Sequence, residues 1–155
     1  MRFYYSYIYG KTGLLASIGA DLFFDQVISK SIDTYISFRF DNIAKQYISR
    51  AIKTKALDID VYNIGTYYYD DAKTKTNGEF DLVIQRAKTY DVIEVKYLKN
   101  KVSRKITEKE IDQIKNIKGI KVGNIGFVSI NGFEEDVKDL KYMIDGDEMY
   151  SKKYH

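Results

Sequence analysis

The sequence lacks cysteine, proline and tryptophan, and its one histidine is His155, at the end of the 155 residues. Without cysteine the chain cannot form a disulfide, a zinc–thiolate site, an iron–sulfur cluster or a cysteine nucleophile. A single histidine also excludes a Ser-His-Asp triad and a multi-histidine metal site within one chain. Any catalysis is therefore expected to use carboxylates, lysine, arginine, tyrosine or serine, together with a hard metal ion.

Long hydrophobic runs are missing as well. No apolar segment approaches the roughly 20 residues of a membrane span, and the first residues, Met1–Tyr5, lack the apolar region and small-residue cleavage site of a signal peptide. We therefore expect a cytoplasmic protein that does not enter a membrane. The net charge of +3 is compatible with a polyanionic partner but does not identify one.

The residues that are present suit one folded domain. Hydrophobic residues make up 45% of the chain and charged residues 30%, which predicts a packed core with a soluble surface. A chain of this length commonly fills a single core. The aromatic residues are mostly tyrosine, with 15 Tyr and 8 Phe, and we expect most of them to serve packing.

Hydrophobic spacing predicts helices in the first third of the chain. We expect them over residues 2–9, 20–31 and 33–53, with Asp33 as the N-cap of the third. The first should end at the glycine-flanked segment Gly10–Gly13.

Strands follow in the second third. β-branched and aromatic runs predict four of them, over residues 59–69, 79–86, 90–97 and 122–130. Residues 70–78 are polar and are expected to form a loop. The turn at Ala87–Thr89 is short, so the second and third strands should form an antiparallel hairpin.

Two further helices complete the predicted order α-α-α-β-β-β-α-β-α. One should begin at the capping box Thr107–Glu110 and stop at Gly119, and the other should cover residues 134–144 after a turn at Asn131–Gly132. A helix between the third and fourth strands allows those strands to pair in parallel. The fold class is therefore α/β, with a mixed four-stranded sheet flanked by helices.

Charged residues interrupt the apolar third strand. Because strand side chains alternate between faces, Glu94 and Lys96 share one face, opposite Ile93 and Val95. Burying an ionised carboxylate without a partner costs roughly several kcal/mol, unless the group takes up a proton. Glu94 must therefore be compensated by Lys96, by a metal ion or by both. Alternatively, the two residues form an ordinary ion pair on a solvated sheet face.

The second strand carries a similar exception at Asp81. Alternation places Asp81 with Val83, on the face opposite Phe80, Leu82 and Ile84. If the second and third strands are neighbours, two carboxylates lie close together and repel each other unless a proton or cation separates them. Oxygen ligands of this kind suit Mg²⁺ or Mn²⁺.

The two strands together resemble a known nuclease signature. The segments Gly78–Ile84 and Val92–Lys96 are similar to the PD-(D/E)XK nuclease superfamily, in which an acidic residue precedes a Glu-x-Lys strand. Asp81 matches the first acid, Glu94 the second, and Lys96 the lysine. The resemblance implies a restriction-endonuclease-like fold and metal-dependent hydrolysis of DNA. Asp81 and Glu94 would hold the Mg²⁺ or Mn²⁺ ion, and Lys96 would orient the attacking water.

The superfamily also places an acid, usually glutamate, on the preceding core helix. Asp41 stands at the matching position, so the resemblance makes it a fourth catalytic candidate with a shorter side chain. Gln113, on the following helix, matches a glutamine found in several of these nucleases. An exposed glutamine with no catalytic role is the simpler interpretation of Gln113.

A closer resemblance extends over most of the chain. Arg2–Tyr9, Phe38–Ala44 and Ile64–Tyr69 are similar to the C-terminal, nuclease-like region of archaeal-type AAA+ (P-loop) ATPases. The ATPase part is not present, and Gly10-Lys11-Thr12 is not a P-loop, because Tyr5 stands where that motif needs glycine. The resemblance implies an AAA+ ATPase region as a partner.

This division of the chain gives three expected parts: an N-terminal helical extension over 1–32, a nuclease-like domain over 33–145 and a polar tail over 146–155. The aromatic residues of the extension make a homodimer a further expectation. Four basic residues after the motif are candidates for binding DNA phosphates, although a solvated basic loop is an equal alternative. They are Lys99, Lys101, Arg104 and Lys105.

Two functions remain open from the sequence. The first is a metal-dependent DNA endonuclease. The second is a catalytically inactive module that binds nucleic acid or regulates an AAA+ ATPase, because one fold supports both outcomes and the site decides between them.

Overall fold

The computed structural model describes residues 2–57, 60–71, 76–138 and 140–151. The chain forms two compact units, Met1–Arg39 and Phe40–His155. No helix in the described part of the chain is long and apolar enough to cross a membrane. The three parts expected from the sequence stay predictions, and residues 152–155 of the expected polar tail lie outside the described residues.

The first unit is helical, as predicted, but its helices have different limits. A π-helical turn covers Tyr4–Ile8, helix α1 covers Thr12–Phe23, and a second π-helical turn follows at Phe24–Ile28. Helix α1 is kinked at Gly19, whose φ of +78° is not helical. The predicted helix over 20–31 therefore matches the helical segment after the kink together with the second π-helical turn, whereas the helical segment over 12–18 was not predicted. The unit's buried core consists of Tyr7, Phe23 and Ile28.

Exposed aromatic rings form a cluster on this first unit. Tyr4, Tyr5 and Tyr9 lie within 5.4–6.4 Å of one another, measured between ring centroids. Tyr5 and Tyr9 are 60% and 64% exposed. Dimerisation through this segment stays a prediction.

Helix α2 covers Ile32–Lys53, close to the predicted 33–53. Asp33 was predicted as its N-cap, but it lies inside the first turn. From Phe40 onward, the buried face of α2 follows the predicted helical spacing. Its members in the core are Phe40, Ala44, Tyr47, Ile48 and Ala51.

The second unit contains a five-stranded mixed sheet in the order β1-β2-β3-β4-β5. The strands are β1 Asn63–Asp71, β2 Thr76–Gln85, β3 Tyr90–Lys96, β4 Val122–Ser129 and β5 Tyr142–Asp145. β2 and β3 pair antiparallel, and β3 and β4 pair in parallel. The α/β fold class, the hairpin and the parallel crossover are therefore confirmed. The predicted loop over 70–78 is strand at both of its described ends, and residues 72–75 lie outside the described residues.

The fifth strand corrects the prediction of a four-stranded sheet and a last helix over 134–144. β5 adds in parallel to β4, with Tyr142 opposite Gly126 and Ile144 opposite Val128. Tyr142 and Ile144 are buried, whereas their neighbours along the strand are only partly buried. This alternation is a strand pattern, and four residues are too few to distinguish it from helical spacing in the sequence. A short helix, α4 Gly146–Tyr150, follows.

Helix α3 covers Arg104–Lys115 and also corrects its predicted limits. Its N-cap is Ser103, so Thr107 lies inside the helix, where its buried hydroxyl donates to the Arg104 carbonyl. The predicted capping box was therefore wrong. The helix ends before Gly119, which has φ +108° and serves the turn into β4.

Apolar side chains cover both faces of the sheet. One core cluster joins α2 to Leu82, Ile84, Ile93 and Val95. The other joins α3, through Ile114, to Phe80, Val83 and Val92. The alternation predicted for the third strand is confirmed, because Ile93 and Val95 pack in one cluster and Val92 in the other.

A β-bulge changes the alternation predicted for the second strand. Gly65 pairs with Val83 but Tyr67 pairs with Phe80, so β2 has one residue more than β1 between these pairs. Phe80 was predicted to share a face with Leu82 and Ile84, but in the structure it packs with Val83. A bulge inserts one residue and redirects the side chains beside it, and this extra residue lies at Asp81–Leu82.

Gly126 is expected to be essential where β4 meets β5. A Cβ atom at this position would overlap the Cβ of Tyr142 and lie 2.8 Å from the Tyr142 carbonyl oxygen. Gly126→Ala should therefore reduce the free energy of unfolding by about 1–3 kcal/mol, as overpacking does. Urea denaturation measures this loss. Gly65→Ala is the matched control, since a Cβ there meets nothing within 4 Å, and equal stability of the two variants would contradict the prediction.

Candidate active site

Strand β3 places Glu94 and Lys96 side by side, and they form an ion pair. The distance from Lys96 Nζ to Glu94 Oε2 is 3.0 Å. Glu94 is 5% exposed, although it lies in an otherwise apolar strand. The structure therefore shows a largely buried pair, whereas the sequence also allowed a solvated surface pair.

Asp81 lies at the bulge of β2, and its carboxylate forms a hydrogen bond to the backbone of β3. Ladder pairing between β2 and β3 reaches Leu82 opposite Ile93. Beyond that pair, Asp81 Oδ2 accepts a hydrogen bond of 2.8 Å from the backbone N–H of Val95. The bulge thus brings the first acid next to the Glu94–Lys96 segment.

Asp41 lies on α2, directly after the buried Phe40, and is itself exposed. Burial of part of its carboxyl raises its pKa, and so does the nearby charge of Glu79, while Lys45 and Lys96 oppose the rise. Asp41 also raises the pKa of Asp81. The structure therefore brings all four predicted catalytic residues into one electrostatic cluster.

The charges of the cluster are incompletely balanced. Burial raises the pKa of Glu94 to about 7, and the charge of Asp81 raises it further against the opposing effect of Lys96. For Asp81, burial raises the pKa and the Val95 hydrogen bond only partly offsets this. Carboxyl groups whose pKa values are shifted by burial and neighbouring charges commonly cluster at functional sites.

A second acid on α3 completes the surroundings of the lysine. Lys96 Nζ lies 3.1 Å from Glu110 Oε1, in addition to its contact with Glu94. Burial lowers the pKa of Lys96, but the two carboxylates outweigh this effect and the pKa is raised. Sequence reasoning assigned Glu110 to a capping box and missed this role, although its place on the face of α3 nearest β3 follows from the helix limits.

Two carboxylates of the cluster are candidates for holding a divalent cation. In the described part of the chain, no three acidic or histidine side chains are grouped so that they could hold a metal ion between them. Magnesium, however, commonly binds through one or two carboxylates and takes its other ligands from water and substrate phosphates. Asp81 and Glu94 could supply two such carboxylates, and Glu94 Oε1 is buried without a hydrogen-bond partner among the described residues. Such an atom is a natural ligand for a hard cation.

Comparison with known proteins places the chain in a family. Residues 4–114 match the model of DUF234, described as archaeal and bacterial proteins of unknown function. The chain belongs to the DUF234 family. The match includes Asp41, Asp81, Glu94, Lys96 and Glu110. Neither the search of curated proteins nor the search of solved structures found a significant match, so the resemblance to PD-(D/E)XK nucleases stays a prediction.

The basic residues of this DUF234 chain lie beyond β3. Lys99, Lys101 and Lys105 are exposed, whereas Arg104 donates to Glu108 on the same helix at 2.7 Å. The loop before α3 is fixed by Asn131, whose side chain donates to the carbonyls of Leu98 and Lys99. Lys99, Lys101 and Lys105 are thus exposed and have no ion-pair partner in the described part of the chain.

Gln113 is exposed on α3 and donates to the hydroxyl of Tyr69. This contact places it against β1, and no described interaction joins it to Glu94 or Lys96. The simpler interpretation, an exposed glutamine, agrees with this geometry.

Sequence reasoning also missed Asp91, a fully buried acid at the start of β3. Asp91 Oδ2 accepts from Tyr142 at 2.6 Å and from Arg86 at 3.3 Å. Its other oxygen accepts from the backbone and side-chain nitrogens of Asn124, at 2.9 and 3.0 Å. All four bonds are internal, so Asp91 ties β3 to β4 and β5 and is structural in this DUF234 protein.

Proposed function

We propose that this DUF234 chain is a metal-dependent, endonuclease-type phosphodiesterase that acts on DNA in the cytoplasm. The observation that carries the proposal is the meeting of Asp81, Glu94 and Lys96 where β2 separates from β3. There a buried carboxylate oxygen of Glu94 has no hydrogen-bond partner in the part of the chain that the structure describes. The resemblance of the Asp81…Glu94-x-Lys96 spacing to the PD-(D/E)XK signature supports the same conclusion.

The proposed chemistry assigns a role to each residue of the cluster. Asp81 and Glu94 would hold Mg²⁺ or Mn²⁺, which when bound lowers the pKa of a water molecule and offsets charge on the phosphate. Lys96 would orient the attacking water and favour its ionised form through its positive charge. Asp41 adds negative potential beside Asp81 and so favours a bound cation. Asp81 also fixes the geometry through its hydrogen bond to Val95.

The proposed DNA contacts lie next to this cluster. Lys99, Lys101 and Lys105 are exposed and can reach phosphates of a bound strand. Arg104 is engaged with Glu108 and would have to exchange that partner for a phosphate. An exposed pair of this kind is screened by water and contributes little stability, so the exchange is easy.

Loss of the Asp81 carboxylate should abolish cleavage. We expect plasmid DNA to be nicked or linearised in Mg²⁺ or Mn²⁺, and Asp81→Asn to be slower by about 10²-fold or more, as losses of electrostatic catalytic groups commonly are. Asparagine keeps an oxygen that can accept from Val95, so the fold should persist, which circular dichroism checks. Asp112→Asn, at an exposed position on α3, is the control. An inactive wild-type protein, or a fully active Asp81→Asn variant, would refute the proposal.

One observation favours the alternative of an inactive DNA-binding or regulatory module that serves an AAA+ ATPase. Lys96 already provides a positive charge for Glu94, so the pair can exist as a structural ion pair without a metal. This alternative predicts DNA binding that weakens with salt and is unaffected by Asp81→Asn. Fluorescence anisotropy with labelled duplex DNA, together with the cleavage assay, separates the two functions.

A further inference from the structure

Lys96 is shared between two carboxylates that belong to different elements. Its Nζ atom lies 3.0 Å from Glu94 Oε2 on β3 and 3.1 Å from Glu110 Oε1 on α3. The side chains of Lys96 and Glu110 are about one-fifth exposed, and that of Glu94 is nearly buried. By contrast, the other glutamate pair on α3, Glu108 with Arg104, is largely in water.

The second carboxylate matters because Glu94 would have to balance two positive charges, the Lys96 ammonium group and the divalent cation. In the proposed function, Glu94 Oε1 would hold a divalent cation while Oε2 contacts Lys96, so the two cations would share the negative charge of one carboxylate. If Glu94 were the only partner of Lys96, metal binding would leave a half-buried ammonium group incompletely paired. An unpaired buried charge is strongly destabilising. A second carboxylate removes this penalty because the lysine keeps one partner throughout.

We propose that Glu110 is a positioning residue that retains Lys96 beside the site when the charge of Glu94 is shared with a divalent cation. The inference rests on the proposed function and assigns a role to a residue outside the Asp81…Glu94-x-Lys96 motif. Glu110 does not touch the metal. It acts through the lysine, by holding Nζ where the attacking water is to be oriented.

Metal binding without DNA provides a test that does not depend on activity. Isothermal titration with Mn²⁺ should show binding about tenfold weaker for Glu110→Gln than for the wild-type protein, a typical coupling within one charged network. Glu110→Asp should recover part of this affinity, since it restores the carboxylate. Glu108→Gln, which removes a neighbouring charge on the same helix, should bind within about twofold of wild type.

A double-mutant cycle separates positioning from simple charge. Without the lysine, Glu110 has nothing to hold, so Lys96→Met and Lys96→Met/Glu110→Gln should bind Mn²⁺ with the same affinity within about twofold. If Glu110 instead attracted the metal through its charge alone, its removal would weaken binding equally in both backgrounds. That result would overturn the inference.

Cleavage kinetics give the second readout. Glu110→Gln should reduce kcat at saturating Mn²⁺ and leave KM for DNA unchanged, because the lysine is displaced while the DNA contacts remain. If the wild-type protein binds Mn²⁺ and cleaves DNA but Glu110→Gln matches it in affinity and kcat, only this inference fails. If the wild-type protein neither binds Mn²⁺ nor cleaves DNA, the proposed function fails and the inference with it.

Discussion

Asp91→Ala is expected to lower the free energy of unfolding by about 3–5 kcal/mol, the usual consequence of removing one partner from a buried charged network. Asp91 is completely buried and accepts four hydrogen bonds from three other residues. Its loss leaves the Asn124 backbone N–H and the Tyr142 hydroxyl without their acceptor. For a protein of ordinary stability, about 5–15 kcal/mol, this is a large fraction of the total.

Urea denaturation followed by circular dichroism measures the effect. Tyr142→Phe, which removes one of the four bonds, should lose about 1–3 kcal/mol. Asp136→Ala, at an exposed position, should change stability by no more than about 0.5 kcal/mol. If Asp91→Ala were as stable as Asp136→Ala, the buried network would not hold the last two strands as the structure indicates.

The fold was largely predictable where periodicity is strong. Helix α2 and strands β3 and β4 carry long apolar patterns, and their limits in the structure lie within one or two residues of the predicted ones. β5 was missed because it has four residues and its burial depends on pairing with β4. The start of α3 was missed because Thr107 and Glu110 have the spacing of a capping box, whereas the true N-cap, Ser103, has Ile106 three residues later.

The site was predictable in its members but not in its geometry. The pattern around Glu94 and Lys96 identified two charged residues in an apolar strand, and the structure places them in contact. Perfect alternation, however, put Phe80 on the wrong face. The bulge at Asp81–Leu82 depends on how β2 pairs with β1, and the spacing of residues within one strand cannot report that.

Two acids were missed because their partners are distant in sequence. Asp91 binds Tyr142, 51 residues away, and Glu110 binds Lys96 across 14 residues. Each looked like an ordinary charged residue at the end of a strand or on a helix face. Only the packing of the strands and of α3 on the sheet reveals that one is structural and the other belongs to the candidate site.

Three local conflicts of this chain lie close together. A bulge, a strand hydrogen bond replaced by the Asp81 carboxylate, and a buried glutamate with an unpartnered oxygen all lie where β2 and β3 separate. A second irregularity in strand pairing lies between Tyr90 and Val92, where β3 pairs with β4 and where Asp91 is bound. Proteins commonly keep such conflicts where function requires them, and the energetic consequence can be measured at Glu94.

Glu94→Gln is expected to stabilise the protein, and to do so more strongly as the pH rises. The pKa of Glu94 is raised from 4.5 to about 7, chiefly by burial, so the folded state favours the protonated acid. Its contribution is fully present below pH 4.5 and is lost as the pH rises through 7. At about 1.4 kcal/mol per pKa unit, the wild-type protein loses roughly 3 kcal/mol of folding stability between pH 4.5 and pH 7. The Glu94→Gln variant does not lose this stability because glutamine does not ionise.

Thermal melts between pH 4 and pH 8 should therefore show little difference between the two proteins at pH 4 and a clearly higher Tm for Glu94→Gln at pH 8. Glu108→Gln, exposed on α3, should show no such growth with pH. Added Mg²⁺ should narrow the gap at pH 8, because a cation that binds only the folded wild-type protein stabilises it by mass action. A gap that stays constant with pH would mean that burial does not destabilise the Glu94 carboxylate. A gap that Mg²⁺ leaves unchanged would mean that the acid is not a metal ligand, and the site would then lose the reason for keeping a carboxylate where a glutamine is more stable.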